Sequence, residues 1–188
     1  MTYRRRYLRR HRRLTGRDLA APAIAGLLLA ALMNSAGHAA PAAVAPADAQ
    51  APPGSVAAQV IAFAQAREAE SCPYVWGGTG PCQDGYDCSG LAQQAYASAG
   101  ITIPRTSQEQ WAAGPQVATP APGDLVFFAG ADGTWSAPGH VGIVVDPATH
   151  TMIDAYETGT NVEYDTYGLP GSQGGLTDPV GFTDPAEG

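Results

Sequence analysis

From Ser55 onward the spacing of apolar residues changes period more than once. Val56, Val60, Phe63 and Ala64 recur at three- and four-residue intervals, which sets them on one face of a helix running from a Ser55 cap to about Glu70. A second helical stretch, Leu91-Ala92-Gln93-Gln94-Ala95-Tyr96-Ala97-Ser98-Ala99, follows a polar turn with Asp87 as its N-cap and stops at Gly100. Runs of β-branched and aromatic residues then predict strands. Leu125-Val126-Phe127-Phe128 follows the turn Pro122-Gly123-Asp124, which Asp124 holds; His140-Val141-Gly142-Ile143-Val144-Val145 follows Pro138-Gly139; Thr151-Met152-Ile153-Asp154-Ala155 follows Asp146-Pro147-Ala148-Thr149. The tail from Tyr167 is glycine-rich and loop-like, with Val180-Gly181-Phe182 as a closing strand.

The residues before Ser55 have a different character. Eight of the ten arginines precede an apolar run over 19–33, which is too short for the roughly 20 residues of a membrane-spanning helix. Small residues at Gly37, Ala39 and Ala40 complete a signal-peptide pattern over 1–39, with cleavage expected after Ala39 or Ala40. Arg4-Arg5-Arg6-Tyr7-Leu8 admits a twin-arginine reading, but in a run so rich in arginine a pair carries no information about the export route. Residues 40–54, alanine-rich with Pro41, Pro46, Pro52 and Pro53, read as a flexible linker. About 149 residues follow the leader, and 55–188 make one folded domain of ordinary size.

Setting the leader aside changes the charge: in the remainder of the chain, linker included, 16 acids face only Arg67 and Arg105, a net of −14 with neutral histidines. Such a surface repels a phosphate backbone and lacks the basic footprint of nucleic-acid binding. The exported domain is expected to be secreted, without stable membrane insertion, and monomeric.

Three cysteines lie close together, Cys72, Cys82 and Cys88. Cys72 and Cys82 flank a turn-rich stretch, so a local disulfide suits an oxidising compartment, whereas either other pairing would use up Cys88. No Cys-x-x-Cys pair opens a zinc site, and no metal or other cofactor is expected. Cys88 stands in the first turn of the second helix, where unpaired N–H groups and the helix dipole favour thiolate over thiol. This makes it a candidate nucleophile, against the alternative of a small buried hydrophobe.

A cysteine nucleophile needs an imidazole partner. Beyond the leader there are two histidines: His140 opens a strand and His150 follows a turn, so His140 is the candidate base. A hairpin centred near Pro147 pairs residues whose numbers sum to about 294, which brings Asp154 opposite His140 as the third member of a triad. The alternative for Asp154 is a solvated edge-strand carboxylate.

Taken together, Tyr74-Val75-Trp76-Gly77-Gly78, Asp87-Cys88-Ser89-Gly90-Leu91, Pro104-Arg105-Thr106-Ser107, Pro122-Gly123-Asp124-Leu125-Val126-Phe127-Phe128 and Gly139-His140-Val141-Gly142-Ile143 resemble, in order and spacing, the NlpC-type cell-wall peptidases. The resemblance covers residues 56–164. It implies an α+β, papain-like fold with N-terminal helices packed on a central antiparallel β-sheet, and a secreted cysteine endopeptidase acting on peptidoglycan stem peptides. The implied target is the bond between D-γ-glutamate and a diamino acid. By position, Cys88 is the nucleophile, His140 the base and Asp154 the third polar residue, where the family more often has His, Asn or Gln. Tyr74 lines the site and donates to the oxyanion. Asp87 and Ser89 match residues that hold the free amine of the stem, and Arg105 and Ser107 lie near the groove. For Arg105 a salt bridge to one of the many acids is the alternative. Trp135, in the loop 129–138 that leads to His140, is expected to wall one side of the cleft. Two other functions share these residues, an amidase or acyl-transfer enzyme with the same triad and an inert wall-binding module.

Overall fold

Ser55 starts the first helix, α1 (Val56–Ala69), by accepting a hydrogen bond from the Ala58 N–H at 3.1 Å. This description comes from a computed structural model, which describes residues 51–188 apart from Gly174. The signal peptide expected over 1–39 and all but the last four residues of the linker expected over 40–54 lie outside the described residues.

Helix α2 (Cys88–Ser98) is capped by Asp87 and ends in a Schellman turn. There Ile101 N–H reaches Tyr96 O across Gly100, whose φ of +82° suits a residue without a Cβ. The pattern of apolar residues did not foretell the third helix, α3 (Ser107–Ala113). It is too short and polar for periodicity to show, but Thr106 and Glu109 form the reciprocal capping box that a T-x-x-E spacing announces.

Six strands follow: β1 (Gln116–Val117), β2 (Leu125–Phe128), β3 (His140–Asp146), β4 (Thr151–Ala155), β5 (Val162–Thr166) and β6 (Pro179–Thr183). They form one antiparallel sheet in the order β1-β6-β2-β3-β4-β5, so the fold is α+β with the helices preceding the sheet in sequence. Strand alternation splits the apolar residues between two faces. Leu125, Phe127, Val141, Ile143, Ile153 and Ala155 pack under α1 and α2 against Val60, Ala64, Leu91, Ala95 and Tyr96. Val126, Phe128, Val144 and Met152 face the other way and are covered by Tyr167 and Leu176 from the tail. Both faces of β2 are buried, which is why it reads as an unbroken apolar run. Asp124 holds the turn before it, accepting from Ala121 N–H at 2.7 Å.

The β3–β4 hairpin departs from the expected register. Ile143 pairs with Ile153 and Val144 with Met152, so paired numbers sum to 296, and carrying the register forward sets Asp154 beside Gly142. The turn lies later than Pro147 because Asp146 Oδ1 collects the Ala148 N–H at 2.8 Å and His150 adopts φ +56°, with a bulge next to Val145. A shift of two in the sum moves each strand by whole pleats, so His140 and Asp154 stay on one face and meet diagonally.

Phe127 is fully buried between the helices and the sheet, with the Trp111 ring 5.3 Å from its own. Truncation to alanine is expected to cost about 3–5 kcal/mol, the range for emptying a buried aromatic site. Urea unfolding of Phe127→Ala against wild type measures it.

Candidate active site

Helix α2 and strand β3 both begin at one end of the sheet. Cys88 is the first residue of α2, so its backbone N–H has no acceptor within the helix. It is a free, half-buried thiol, whereas Cys72 and Cys82 are joined in a disulfide. That disulfide closes the segment carrying Tyr74 and Trp76, which is folded back by Val75 N–H to Tyr86 O at 2.9 Å and Asp87 N–H to Gly78 O at 3.0 Å. Gly90 is where this segment touches the helix: a Cβ there would run into the Gly78 carbonyl oxygen. Among the described residues, the one cluster with metal-ligand spacing is Glu70, Cys72 and Cys82, whose two sulfurs are committed to each other.

His140 opens β3 and is 7% exposed; Asp154, in the middle of β4, is fully buried. Its Oδ2 lies 2.6 Å from His140 Nε2, a charge-assisted contact that fixes the ring and leaves Nδ1 for the sulfur. Phe128 and Tyr156 confine the imidazole, with ring centroids 5.9 and 5.5 Å away. Burial by itself pushes the His140 pKa down. The negative charge of Cys88, followed by the Asp154 hydrogen bond, outweighs it and raises the value to about 10. Tyr74 is pushed up to about 12, by burial first and then by the charge of Cys88, so it stays an O–H donor across the physiological range.

Asp87 and Ser89 have other commitments. Besides capping α2 through Gly90 N–H (2.7 Å), Asp87 accepts from Gly77 N–H (2.9 Å) and from both Arg105 terminal nitrogens (3.0 and 2.7 Å). Ser89 Oγ donates to Asp87 Oδ1 at 3.3 Å and accepts from Arg105 at 2.9 Å. Arg105 is therefore in a salt bridge, the alternative that the abundance of acids suggested. Ser107 Oγ donates to Pro138 O at 2.9 Å, tying the start of α3 to the segment that delivers His140.

Two cavities meet at Cys88, sharing Tyr74, Trp76, Asp132 and Gly139 in their walls. One, of about 550 Å³, is completed by His140, Phe128, Tyr156, Glu157 and Leu176. The other, of about 540 Å³, is completed by Asp87, Ser89, Arg105 and the start of α3. Trp135 lines neither and is 63% exposed. Its loop turns back on itself through Thr134 and Ala137, and Gly139 N–H returns to Ala129 O, so residues 130–132 meet the cleft and Trp135 sits at the far bend. The aromatic wall is instead Trp76, 75% exposed at the junction of the cavities and legible beside Tyr74 in the sequence. Gln110, buried, was also missed; its amide donates to Ser89 O and Pro104 O, both at 2.9 Å, holding the Arg105 segment against α2. The T-x-x-E capping signal would have pointed to its helix, though not to these contacts.

The family model described as NlpC/P60 matches residues 71–177, which contain every one of these groups. The chain belongs to the NlpC/P60 family. Relatives in the family are named endopeptidases, in keeping with the pairing of Cys88 and His140, although RipD of Mycobacterium tuberculosis is described as a non-catalytic NlpC/P60 domain protein. The bifunctional muramidase/DL-endopeptidase CwlT of Bacillus subtilis is 49% identical over 84 residues, 43% of this chain and 25% of that protein. The γ-DL-glutamyl hydrolase of the same organism is 43% identical over 74 residues, 38% of this chain and 18% of the relative. The chain thus spans a quarter or less of these two NlpC/P60 relatives. A crystal structure of an NlpC/P60 protein from Bacillus cereus superposes with a TM-score of 0.58 at 31% identity, covering 68% of this chain and 39% of the other.

Because the Cys88 charge is the largest influence raising the His140 pKa, Cys88→Ala is expected to move it down from about 10. Titration of the imidazole followed by NMR measures this, and an unchanged midpoint would contradict the coupling.

Proposed function

We propose that the chain is an exported cysteine endopeptidase that hydrolyses peptidoglycan stem peptides at the γ-D-glutamyl–diamino acid bond. The observation that carries the reading is the buried imidazole between Asp154 and the one free cysteine, with its proton held to a pH far above neutrality. In the resting site His140 carries its proton beside the Cys88 sulfur. The sulfur attacks the γ-carbonyl carbon, and the oxyanion that forms faces the Cys88 N–H and the Tyr74 hydroxyl. His140 gives its proton to the departing amine, and a thioester remains.

The electrostatics then reverse. A thioester sulfur bears no charge, so the strongest influence raising the His140 pKa disappears and burial regains weight. The imidazole, now neutral, takes a proton from water as it attacks the thioester. Collapse expels the sulfur as thiolate and releases the carboxylic acid, which loses its proton to solvent, while His140 keeps the proton it took from water. Throughout, Asp154 keeps the ring oriented and offsets the imidazolium charge.

Substrate direction follows from which wall holds the acid. His140 lines one cavity and not the other, so the leaving amine belongs on the side of Tyr156, Glu157 and Leu176 and the glutamyl part on the side of Arg105. Glu157 and Asp132 give the leaving-group side carboxylates, which suit the second ammonium of a diamino acid. The B. subtilis relatives named DL-endopeptidase and γ-DL-glutamyl hydrolase support the bond assignment. The leader expected over 1–39 supports delivery outside the membrane.

Digestion of purified peptidoglycan followed by mass spectrometry tests the proposal. New termini are expected at the diamino acid, chelators are expected to leave the activity intact, and Cys88→Ala is expected to abolish it with the fold retained. Cleavage by Cys88→Ala, or cuts confined to other bonds, would overturn the reading. Asp154→Asn is expected to lower kcat by on the order of 10⁴-fold, the loss that follows when the carboxylate orienting a catalytic imidazole becomes an amide and fixes the wrong tautomer. The activity of wild type should hold as pH rises through neutrality and fall only as His140 deprotonates near pH 10. Steady-state kinetics across pH measures both effects.

A further inference from the structure

Resting on that reading, we infer that the glutamyl-side cavity is built for stem peptides whose first amino group is acylated, as it is while the stem remains joined to its glycan strand. Released peptides, which begin with a free ammonium, fit it poorly. The argument turns on what Asp87 has left to offer. Its carboxylate receives five donors between 2.7 and 3.3 Å: Gly77 N–H, Gly90 N–H, two from Arg105 and the Ser89 hydroxyl. A carboxylate has about four lone-pair positions, so none remains for a substrate ammonium. Its charge is matched by Arg105, whose guanidinium lines the same cavity and repels a second cation.

Apart from the Tyr74 hydroxyl, which the proposed chemistry assigns to the oxyanion, the polar side chains around Arg105 are similarly spoken for. Ser89 Oγ is engaged as donor and acceptor within the same network, Ser107 Oγ donates to Pro138 O, and Thr106 Oγ1 is occupied by Glu109. Gln108 is different: it lines the cavity half-buried, and its side chain makes no hydrogen bond among the described residues. A neutral amide with one donor group and one acceptor matches the amide of an acylated amino terminus and gives no advantage to a charged one. The remaining acid of the cavity is Asp132, exposed at the junction with the leaving-group side and so the rival site for an ammonium.

Two synthetic substrates decide the matter, L-Ala-γ-D-Glu-diamino acid with a free amino terminus and the same peptide N-acetylated. The whole chain after leader removal is expected to show kcat/KM about tenfold or more higher on the acetylated peptide, on the order of what a site loses when a charged group replaces a neutral one without gaining a partner. Asp132→Asn is expected to keep that preference, whereas Gln108→Ala is expected to shrink it by lowering kcat/KM on the acetylated peptide alone. Equal or better cleavage of the free-amine peptide would overturn the inference while leaving the peptidase reading in place. Gain of the acetyl preference only in Asp132→Asn would also overturn it, by identifying Asp132 as an ammonium receptor. An unchanged preference in Gln108→Ala would remove Gln108 from the account. Cleavage of neither peptide would sink the peptidase reading itself.

Discussion

A histidine buried at the end of a strand keeps its proton only where neighbouring negative charge outweighs the water it has lost. In this chain the Cys88 sulfur and the Asp154 carboxylate supply that charge from two directions, a helix N-terminus and the adjoining strand. Much of the remaining architecture serves to keep the three groups in register. The sheet fixes the distance between His140 and Asp154 through paired backbone, and the Gly78–Gly90 contact presses the Tyr74 segment against the start of α2. Ser107 and Gln110 then tie α3 to both the His140 segment and the α2 N-terminus. The full burial of Asp154 beside the imidazole shields the pair from screening by water.

Charge elsewhere in the domain follows a related economy. The two arginines of the described residues are each paired with an acid, Arg105 with Asp87 and Arg67 with Glu70 at 3.3 Å, with the Arg67 guanidinium also 4.5 Å from the Phe63 ring centre. The domain therefore presents its excess of carboxylates to solvent with few compensating cations on the surface. At the cleft this leaves one wall bearing Glu157, another where the Asp87–Arg105 pair cancels, and Asp132 at the junction between them. The asymmetry gives the two ends of a substrate different chemical surroundings without a bound cofactor taking part in the proposed chemistry.

How much of this was written along the chain depends on how local each feature is. The helix starting at Ser55, the α2 cap and its glycine stop, and the strands at 125, 140 and 151 are set by neighbours within a few residues, and so the pattern carried them. The short polar α3 escaped periodicity, and β5 escaped because Val162 is its one buried residue and the rest of the strand is polar or exposed. Trp135 illustrates a different failure: proximity in sequence to His140 suggested the cleft, but a loop that folds on itself turns its middle away from its ends. The hairpin register was misjudged by whole pleats because Asp146 and His150 shape the turn through side-chain hydrogen bonding and a left-handed φ.

The order of motifs, the placement of Cys88 at a helix start and of His140 at a strand start, and the parity that keeps His140 and Asp154 on one face were determined by sequence alone, because helix caps and strand alternation are rules of adjacent residues. Which of the cleft's charges are free was decided only by the tertiary structure. Asp87 and Arg105 lie 18 positions apart, and no local rule says that one will consume the other. That cancellation arises when α2, the Gly77–Gly78 segment and the stretch before α3 converge, which sets the partly exposed Arg105 guanidinium against the nearly buried Asp87 carboxylate.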